Sequence, residues 1–239
     1  MNRKTARTVM SHLGGLALLA IVSSAVQAND KTSADGWQDD FGLANCTLAT
    51  QGRNDYFVLD PGYQLVLEGA GVRMQITVLN ETKLINGVQT RVVEEREWAK
   101  GKLQEVSRNY YAFCEQTKDV LHFGEDVEVY ENGKMVRNEG TWLAGSNGNR
   151  PGLVIPGRPK PGMKYYQEIA PGVTLNRGEV VSLTETCKTS AGVFAQCMKI
   201  KGTSGLDSKK LEYKYYAPKI GLVRDQNLRL VKHGSVKVP

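Results

Sequence analysis

A period-two alternation of apolar and polar residues is the feature that most constrains the fold of this chain. Tyr63, Leu65 and Leu67 alternate with their neighbours, and the same pattern runs through residues 72–78. Such a period places apolar side chains on one face of a β-strand. Beyond residue 28, no window of eleven or more residues has the 3.6-residue stripe of an amphipathic helix. The chain beyond that point is therefore predicted to be all-β.

Two Asn-Gly pairs, Asn86-Gly87 and Asn132-Gly133, predict tight hairpin turns, because both residue types tolerate the positive φ of a type I′ turn. About ten to twelve short runs rich in β-branched and aromatic residues, with turn residues roughly every 8 to 12 positions, predict an antiparallel meander. We expect this meander to form a closed or half-open barrel, or to split into a sandwich.

A long interruption of the strand pattern occurs at residues 150–162, RPGLVIPGRPKPG, which hold four of the eight prolines. Proline has no backbone donor, so this segment is excluded from the centre of a sheet. Its apolar middle predicts a strap across one end of the barrel, with Leu153 and Ile155 buried. A stiff connector is favoured over a lid that gates a ligand, although long connections of this kind serve both purposes.

Residues 1–28 have the features of a cleavable signal peptide. A positive start is followed by an apolar stretch at 13–26 and by small residues that end at Ala28, and the positive residues are Arg3, Lys4 and Arg7. Cleavage is predicted after Ala28. The mature protein is then expected to be exported, either periplasmic or secreted.

The remainder divides into a polar, loosely ordered lead-in at residues 29–56 and a single β-domain at residues 57–239. The sequence holds no second apolar run long enough to span a bilayer, so no transmembrane segment is predicted in the mature form. Loss of the three basic residues of the signal lowers the formal net charge from +6 to +3. The lysines of residues 199–239 alternate with apolar residues, as they do on the solvent-exposed face of a strand. This pattern does not form a basic binding patch, so no nucleic-acid partner is predicted.

Four cysteines in an exported chain indicate disulfides. Cys187 and Cys197 flank a hairpin turn at residues 189–192, which predicts a Cys187–Cys197 bond. Cys46–Cys114 follows by elimination. A zinc site of cysteines needs close C-x-x-C pairs, and the sequence has none.

The densest group of oxygen ligands lies in residues 119–131. His122, Glu125 and Asp126 are the candidate ligands there for a cation such as calcium or zinc. The favoured interpretation is different, because Asp126 and Glu128 share one face of a period-two strand, as solvent-facing residues of a hairpin do.

Recognisable catalytic patterns are missing from the sequence. Beyond the signal it has two histidines, His122 and His233, and no G-x-S-x-G motif to accompany either of them. No phosphate-binding G-x-x-x-x-G-K-[ST] loop is present. The sequence therefore favours a protein that is not an enzyme, and it predicts no cofactor.

Aromatic side chains near the strap and in the strand that follows are the candidate ligand contacts, since amphipathic rings suit binding mouths. Adjacent tyrosines in a strand point to opposite faces. The candidate ligand-binding residues are Trp142, Tyr165, Tyr166, Glu168, Tyr213 and Tyr215.

Residues 120–231 resemble a group of exported bacterial all-β proteins to which no activity is assigned. The resemblance lies in the motifs FGED (123–126), YENGK (130–134), GTWLAG (140–145), PGLVIP (151–156), YQE (166–168), PG (171–172) and YYAPKIGLV (215–223). It implies a secreted or periplasmic bacterial protein and provides no catalytic residue. It also suggests that Glu168 accepts hydrogen bonds from backbone donors of the strap.

Three functions are compatible with these observations. The favoured one is a non-enzymatic exported β-domain that binds an apolar small molecule or a protein partner in the bacterial cell envelope. The second is a metal-assisted hydrolase or cation-binding protein that uses residues 119–131. The third is an assembly subunit whose exposed strand edge pairs with another chain.

Overall fold

The fold is known from a computed structural model that describes residues 36–238, so the predicted signal peptide lies outside the described residues. Within them the chain forms one short 3-10 helix, Leu43–Asn45, and seventeen strands. The strands are β1 Leu48–Ala49, β2 Arg53–Asn54, β3 Phe57–Val58, β4 Tyr63–Gly69, β5 Val72–Ile85, β6 Val88–Ala99, β7 Lys102–Cys114, β8 Val120–Glu131, β9 Lys134–Arg137, β10 Trp142–Leu143, β11 Gly152–Ile155, β12 Lys164–Tyr166, β13 Asn176–Thr189, β14 Gly192–Ser204, β15 Leu211–Ala217, β16 Gly221–Asp225 and β17 Leu228–Ser235.

One large antiparallel sheet contains all of these strands except the β2–β3 pair, in the order β10-β8-β7-β6-β5-β4-β17-β16-β15-β14-β13-β12. It consists of two meanders, β4 to β8 and β12 to β17, that are joined where β4 pairs with β17. The predicted all-β class is confirmed. The sheet does not close on itself, which agrees with a half-open barrel or a sandwich.

The turn chemistry confirms both predicted Asn-Gly hairpins. Asn86 and Gly87 have φ values of 46° and 80° between β5 and β6, and Asn132 and Gly133 have 51° and 78° between β8 and β9. These turns fix the register of the strands on either side. No helix in residues 36–238 is both long and apolar enough to cross a bilayer.

The strap, residues 150–162, is fastened to both ends of the open sheet. Its strand β11 pairs with β8 beside β10, where Leu153 and Ile155 are 2% and 0% exposed, as predicted. The backbone N–H of Gly157 donates to Asp119 Oδ1 at 2.7 Å. On the other side, the N–H of Arg150 donates to the carbonyl of Ile169 at 2.8 Å, just beyond β12. These bonds describe a fixed connector.

The cysteines form one disulfide, the predicted Cys46–Cys114 bond, with an S–S distance of 2.10 Å. It ties the chain before β1 to the end of β7, and β1 itself pairs with β7. The predicted Cys187–Cys197 bond is absent, because both thiols are free and buried. The hairpin turn was predicted correctly, and the two thiols are close enough for a side-chain hydrogen bond. Cys187 nevertheless lies opposite Phe194 and Cys197 opposite Glu185, so the two cysteines are not a directly opposed pair of the hairpin.

We expect two titratable thiols per chain when protein purified without reductant is denatured. Replacing both Cys46 and Cys114 by serine should lower the free energy of unfolding by roughly 4 kcal/mol, since the bond links residues 68 positions apart. Thiol titration and urea unfolding measure these quantities. A count of zero or four thiols would contradict the pairing.

Gly152→Ala should destabilise the protein by about 1–3 kcal/mol, the usual range for overpacking. A Cβ on Gly152 would lie 2.1 Å from the carbonyl oxygen of Gln167, so the strap and the segment after β12 would have to separate. Thermal unfolding measures the loss. Arg158→Ala, an exposed change in the same strap, is the matched control; equal melting temperatures for the two variants would contradict the close contact.

Candidate functional site

A cavity of about 150 Å³ lies on the concave face of the sheet, enclosed by both meanders and the strap. Strands β3 to β6 and the start of β16 give it an apolar lining that includes Phe57, Leu65, Ile76, Val78, Val93 and Leu222. The polar lining comes from β6 to β8, from the segment after β12 and from β15. It includes Glu95, Tyr111, His122, Glu168, Lys214 and Tyr216.

A bulge in β8 places two titratable side chains on this concave face. His122 is paired with Tyr111, and Glu125 is paired with Asn109, two residues earlier in β7. Three residues of β8 thus span two of β7, which is the geometry of a β-bulge. Gly124, inside the bulge, has a φ of 141°, and a Cβ there would lie 2.3 Å from the carbonyl oxygen of Trp142. Glycine is therefore required at this position.

His122 is buried between two aromatic rings and faces a carboxylate. Its ring centroid lies 4.9 Å from that of Tyr111 and 5.1 Å from that of Trp142. Its Nδ1 atom is 3.8 Å from Oε1 of Glu168, and its Nε2 atom has no hydrogen-bond partner. Burial lowers the pKa of His122, while the nearby Glu168 opposes this change. The imidazole is therefore neutral near pH 7.

Glu168 lies between β8 and the segment that follows β12, at the two ends of the sheet, but its hydrogen-bond donors are not the predicted ones. Its Oε2 atom accepts hydrogen bonds from the hydroxyl of Thr174 at 2.6 Å and from the amide of Asn176 at 2.5 Å. The expectation of backbone donors from the strap is thus wrong. The side chains that follow β12 satisfy Oε2 and leave Oε1 directed towards His122.

Two carboxyl groups at the site have strongly raised pKa values. Burial raises the pKa of Glu95 to about 7, a rise that Asp225 reinforces and Lys214 opposes. Burial also raises the pKa of Glu125 to about 8, and the negative charges of Glu168 and Glu95 add to the effect. Both groups exchange protons near neutral pH, as the carboxyl groups of functional sites often do.

Lys214 is the cation of the cavity lining. Its Nζ atom lies 3.4 Å from Asp225 Oδ2 and 4.0 Å from Glu212 Oε1. Burial lowers the pKa of Lys214, but its acidic neighbours, Asp225 first, outweigh that effect and hold the pKa well above the usual value. The ammonium group is therefore charged, and it offsets the negative charges of Glu212 in β15 and Asp225 in β16.

Most of the predicted ligand-binding residues lie away from the cavity. Glu168 lines it, whereas Trp142 packs behind His122 and Tyr165 is fully buried. Tyr166 is half-buried against the Arg177 guanidinium, 4.9 Å from the ring. The prediction that Tyr213 and Tyr215 contact the ligand is wrong, because these two side chains lie on the face of β15 opposite the cavity. There the Lys199 ammonium lies 4.7 Å from the Tyr213 ring and 5.6 Å from the Tyr215 ring. Lys214 and Tyr216 line the cavity instead.

The predicted metal ligands are divided between the two faces of β8. His122 and Glu125 lie on the concave side, while Asp126 on the convex side accepts from Lys83 at 2.9 Å and from the Tyr110 hydroxyl. In residues 36–238 no group of three His, Cys, Asp or Glu side chains is arranged to hold a metal ion. The strand alternation that separates adjacent side chains explains the error.

Four residues of the cavity lining were not predicted from the sequence, namely Glu95, Tyr111, Lys214 and Tyr216. A signal for Glu95 exists, because it continues the register of Val93 and is thus a charged residue in an apolar position of the period-two pattern. Glu95 is paired with Ile76 and Ser107 on the same face.

Comparison of the chain with models of known families, with proteins of described function and with solved structures finds no match.

Glu168→Gln should lower the pKa of both Glu125 and His122. The carboxylate of Glu168 raises both values, so its neutral isostere removes a charge that disfavours ionised Glu125 and favours protonated His122. NMR titration of the two side chains gives the result. Glu131→Gln, at an exposed carboxyl in β8, is the control; opposite shifts of the two groups would contradict the arrangement.

The contribution of the Glu95 carboxyl to stability should fall as pH rises from about 4.5 to about 7, which are its ordinary and its folded-state pKa values. A carboxyl group whose pKa is raised on folding, such as Glu95, binds more protons in the native state than in the unfolded state, so each rise in pH between the two pKa values favours unfolding. Glu95→Gln should flatten this dependence and increase the free energy of unfolding at pH 8 by on the order of 2 kcal/mol. Urea unfolding at several pH values measures it; an unchanged slope would contradict the burial of this carboxyl.

Proposed function

We propose that this protein is a non-enzymatic binding protein of the bacterial cell envelope, which holds a small molecule with an apolar body in the cavity. The observation that carries the proposal is the cavity of about 150 Å³ itself. Protein interiors are close-packed, and voids larger than a water molecule are few. A space of this size accommodates a molecule about as large as benzene.

The lining of the cavity supports a binding role. Pockets for small molecules combine predominantly apolar walls with a few placed polar groups, and here apolar strands β3 to β6 face polar groups from β7, β8 and β15. The strap supports the same role as a fixed cover, because Val154 lines the cavity and its carbonyl accepts from Gln167 Nε2 at 3.4 Å.

Export is supported by three observations that are independent of the cavity. The Cys46–Cys114 disulfide fits an oxidising compartment. The first 28 residues have the pattern of a cleavable signal. The motif resemblance to exported bacterial proteins agrees with both.

The alternatives have less support. A metal-assisted hydrolase loses one of its three ligands, because Asp126 is held on the convex face by Lys83. An assembly subunit would need a long open strand edge, yet the edge strands β9, β10 and β12 have only four, two and three residues. The outer side of β12 also pairs with Gln38, which covers it. Short, covered edges are what proteins use to prevent pairing with other chains.

The test is isothermal titration of the protein with benzyl alcohol, a neutral molecule of suitable size. We expect saturable binding to one site at about millimolar concentration, the range reached by ligands with few atoms. Ile76→Trp, which places an indole in the cavity, should abolish it, while Val193→Trp on the exposed face of β14 should not. Equal binding by wild type and Ile76→Trp would reject the cavity as a ligand site, as would a wild type that binds neither benzyl alcohol nor its charged analogues of the same size.

A further inference from the structure

We infer that the ligand of the cavity carries a positively charged amino group, which Glu95, Glu168 and His122 receive while the apolar body of the ligand contacts β3 to β5. This inference rests on the proposed binding function and specifies the chemical class of the ligand. The inference follows from two hydrogen-bond acceptors that face the cavity and receive no hydrogen bond from the described part of the protein.

The first acceptor is the imidazole of His122. This side chain is 2% exposed, lines the cavity and has no partner for Nε2. A neutral imidazole carries one N–H, and the carboxylate of Glu168 beside Nδ1 favours the proton on that nitrogen. Nε2 is then a buried acceptor, and a buried acceptor without a donor is costly. A ligand that donates a hydrogen bond removes this cost.

The second acceptor is the carboxyl group of Glu95. Among residues 36–238 it has no hydrogen-bond or ion-pair partner, although it lies deep in the concave face and lines the cavity. The nearest cation, Lys214, is closer to Asp225 and Glu212, at 3.4 and 4.0 Å. Burial raises the pKa of Glu95 to about 7, which shows that its ionised form is disfavoured in this setting. A cation in the cavity stabilises the ionised form directly.

The overall charge of the lining favours a cation over an anionic or a neutral ligand. Three carboxyl groups, those of Glu95, Glu168 and Glu212, line the cavity together with one ammonium group, that of Lys214. An anion would meet this excess of negative charge in a poorly solvated space, where charges interact more strongly than in water. A neutral ligand would leave Glu95 unpaired. An ammonium group on an apolar body satisfies both parts of the lining.

Proton release accompanies binding of such a cation. Glu95 and Glu125 have pKa values of about 7 and 8, and a positive charge beside them lowers both. The groups that face Glu95 are Lys214, Asp225, Glu105 and Glu97, and those that face Glu125 are Glu168, Glu95, Glu105 and the indole of Trp142. The affinity for a cation should therefore increase between pH 6 and pH 8.

The experiment compares three probes of similar size, benzylamine, benzyl alcohol and benzoate, by isothermal titration at pH 8 against the full mature chain. We expect benzylamine to bind at least tenfold more tightly than benzyl alcohol, and benzoate not to bind. Repeating the benzylamine titration in buffers of different ionisation enthalpy should reveal release of protons at pH 7.

Glu95→Gln should reduce the affinity for benzylamine at least tenfold, to about that of the wild type for benzyl alcohol. The amide carries no charge at a position where burial disfavours the ionised carboxyl, so this variant is expected to fold, and its thermal unfolding transition reports that the fold is intact. Glu131→Gln, at an exposed carboxyl of β8, is the matched control and should retain the wild-type preference.

The outcomes separate the inference from the proposed function. Binding of benzyl alcohol as tightly as benzylamine, or tighter binding of benzoate, overturns the inference and leaves a neutral or anionic ligand for the same cavity. A preference for benzylamine that survives Glu95→Gln also overturns it. Failure of all three probes to bind rejects the cavity as a binding site and, with it, both proposals.

Discussion

The pairing of the strap with β8 is the interaction on which the rest of this structure depends. An open antiparallel sheet presents two edges, and here residues 150–162 attach to one of them through β11 and to the other through the Arg150–Ile169 hydrogen bond. The approach is so close that glycine is required at position 152. Because of this contact, side chains from opposite ends of the sheet, His122 and Glu168, meet at 3.8 Å. The cavity is the space that the strap leaves beneath it.

The concave face is unusual for the interior of a β-structure, because it buries titratable groups among apolar ones. Burying a carboxyl group usually opposes folding, and the raised pKa values of Glu95 and Glu125 express that cost. Perturbed carboxyl groups of this kind are common at functional sites. The convex face has ordinary surface chemistry by comparison, with ion pairs such as Lys83–Asp126 and lysines stacked on tyrosines.

Much of the fold could be predicted from the sequence, and less of the site. The Asn-Gly turns and the buried centre of the strap were predicted correctly because they depend on local backbone chemistry. The site required knowledge of which member of each adjacent pair faces inward. Tyr215 and Tyr216 are chemically identical, yet Tyr216 lines the cavity. The bulge at Gly124 then carries Glu125 to the face of His122 and leaves Asp126 outside. A shift of one residue in register exchanges the two faces of a strand.

The sequence by itself determined the all-β class, the hairpins and the position of the strap, since alternation, turn residues and proline act over a few residues. The Cys46–Cys114 bond was predicted only by elimination, from a Cys187–Cys197 bond that the structure lacks. The tertiary structure alone decided that Cys187 and Cys197 are free, that the sheet stays open, and that Glu95, His122 and Glu168 meet around one cavity. Those outcomes depend on bulges and on contacts between residues far apart in the chain. The local pattern does not specify either, because bulges and long-range contacts are set by the packing of the whole sheet.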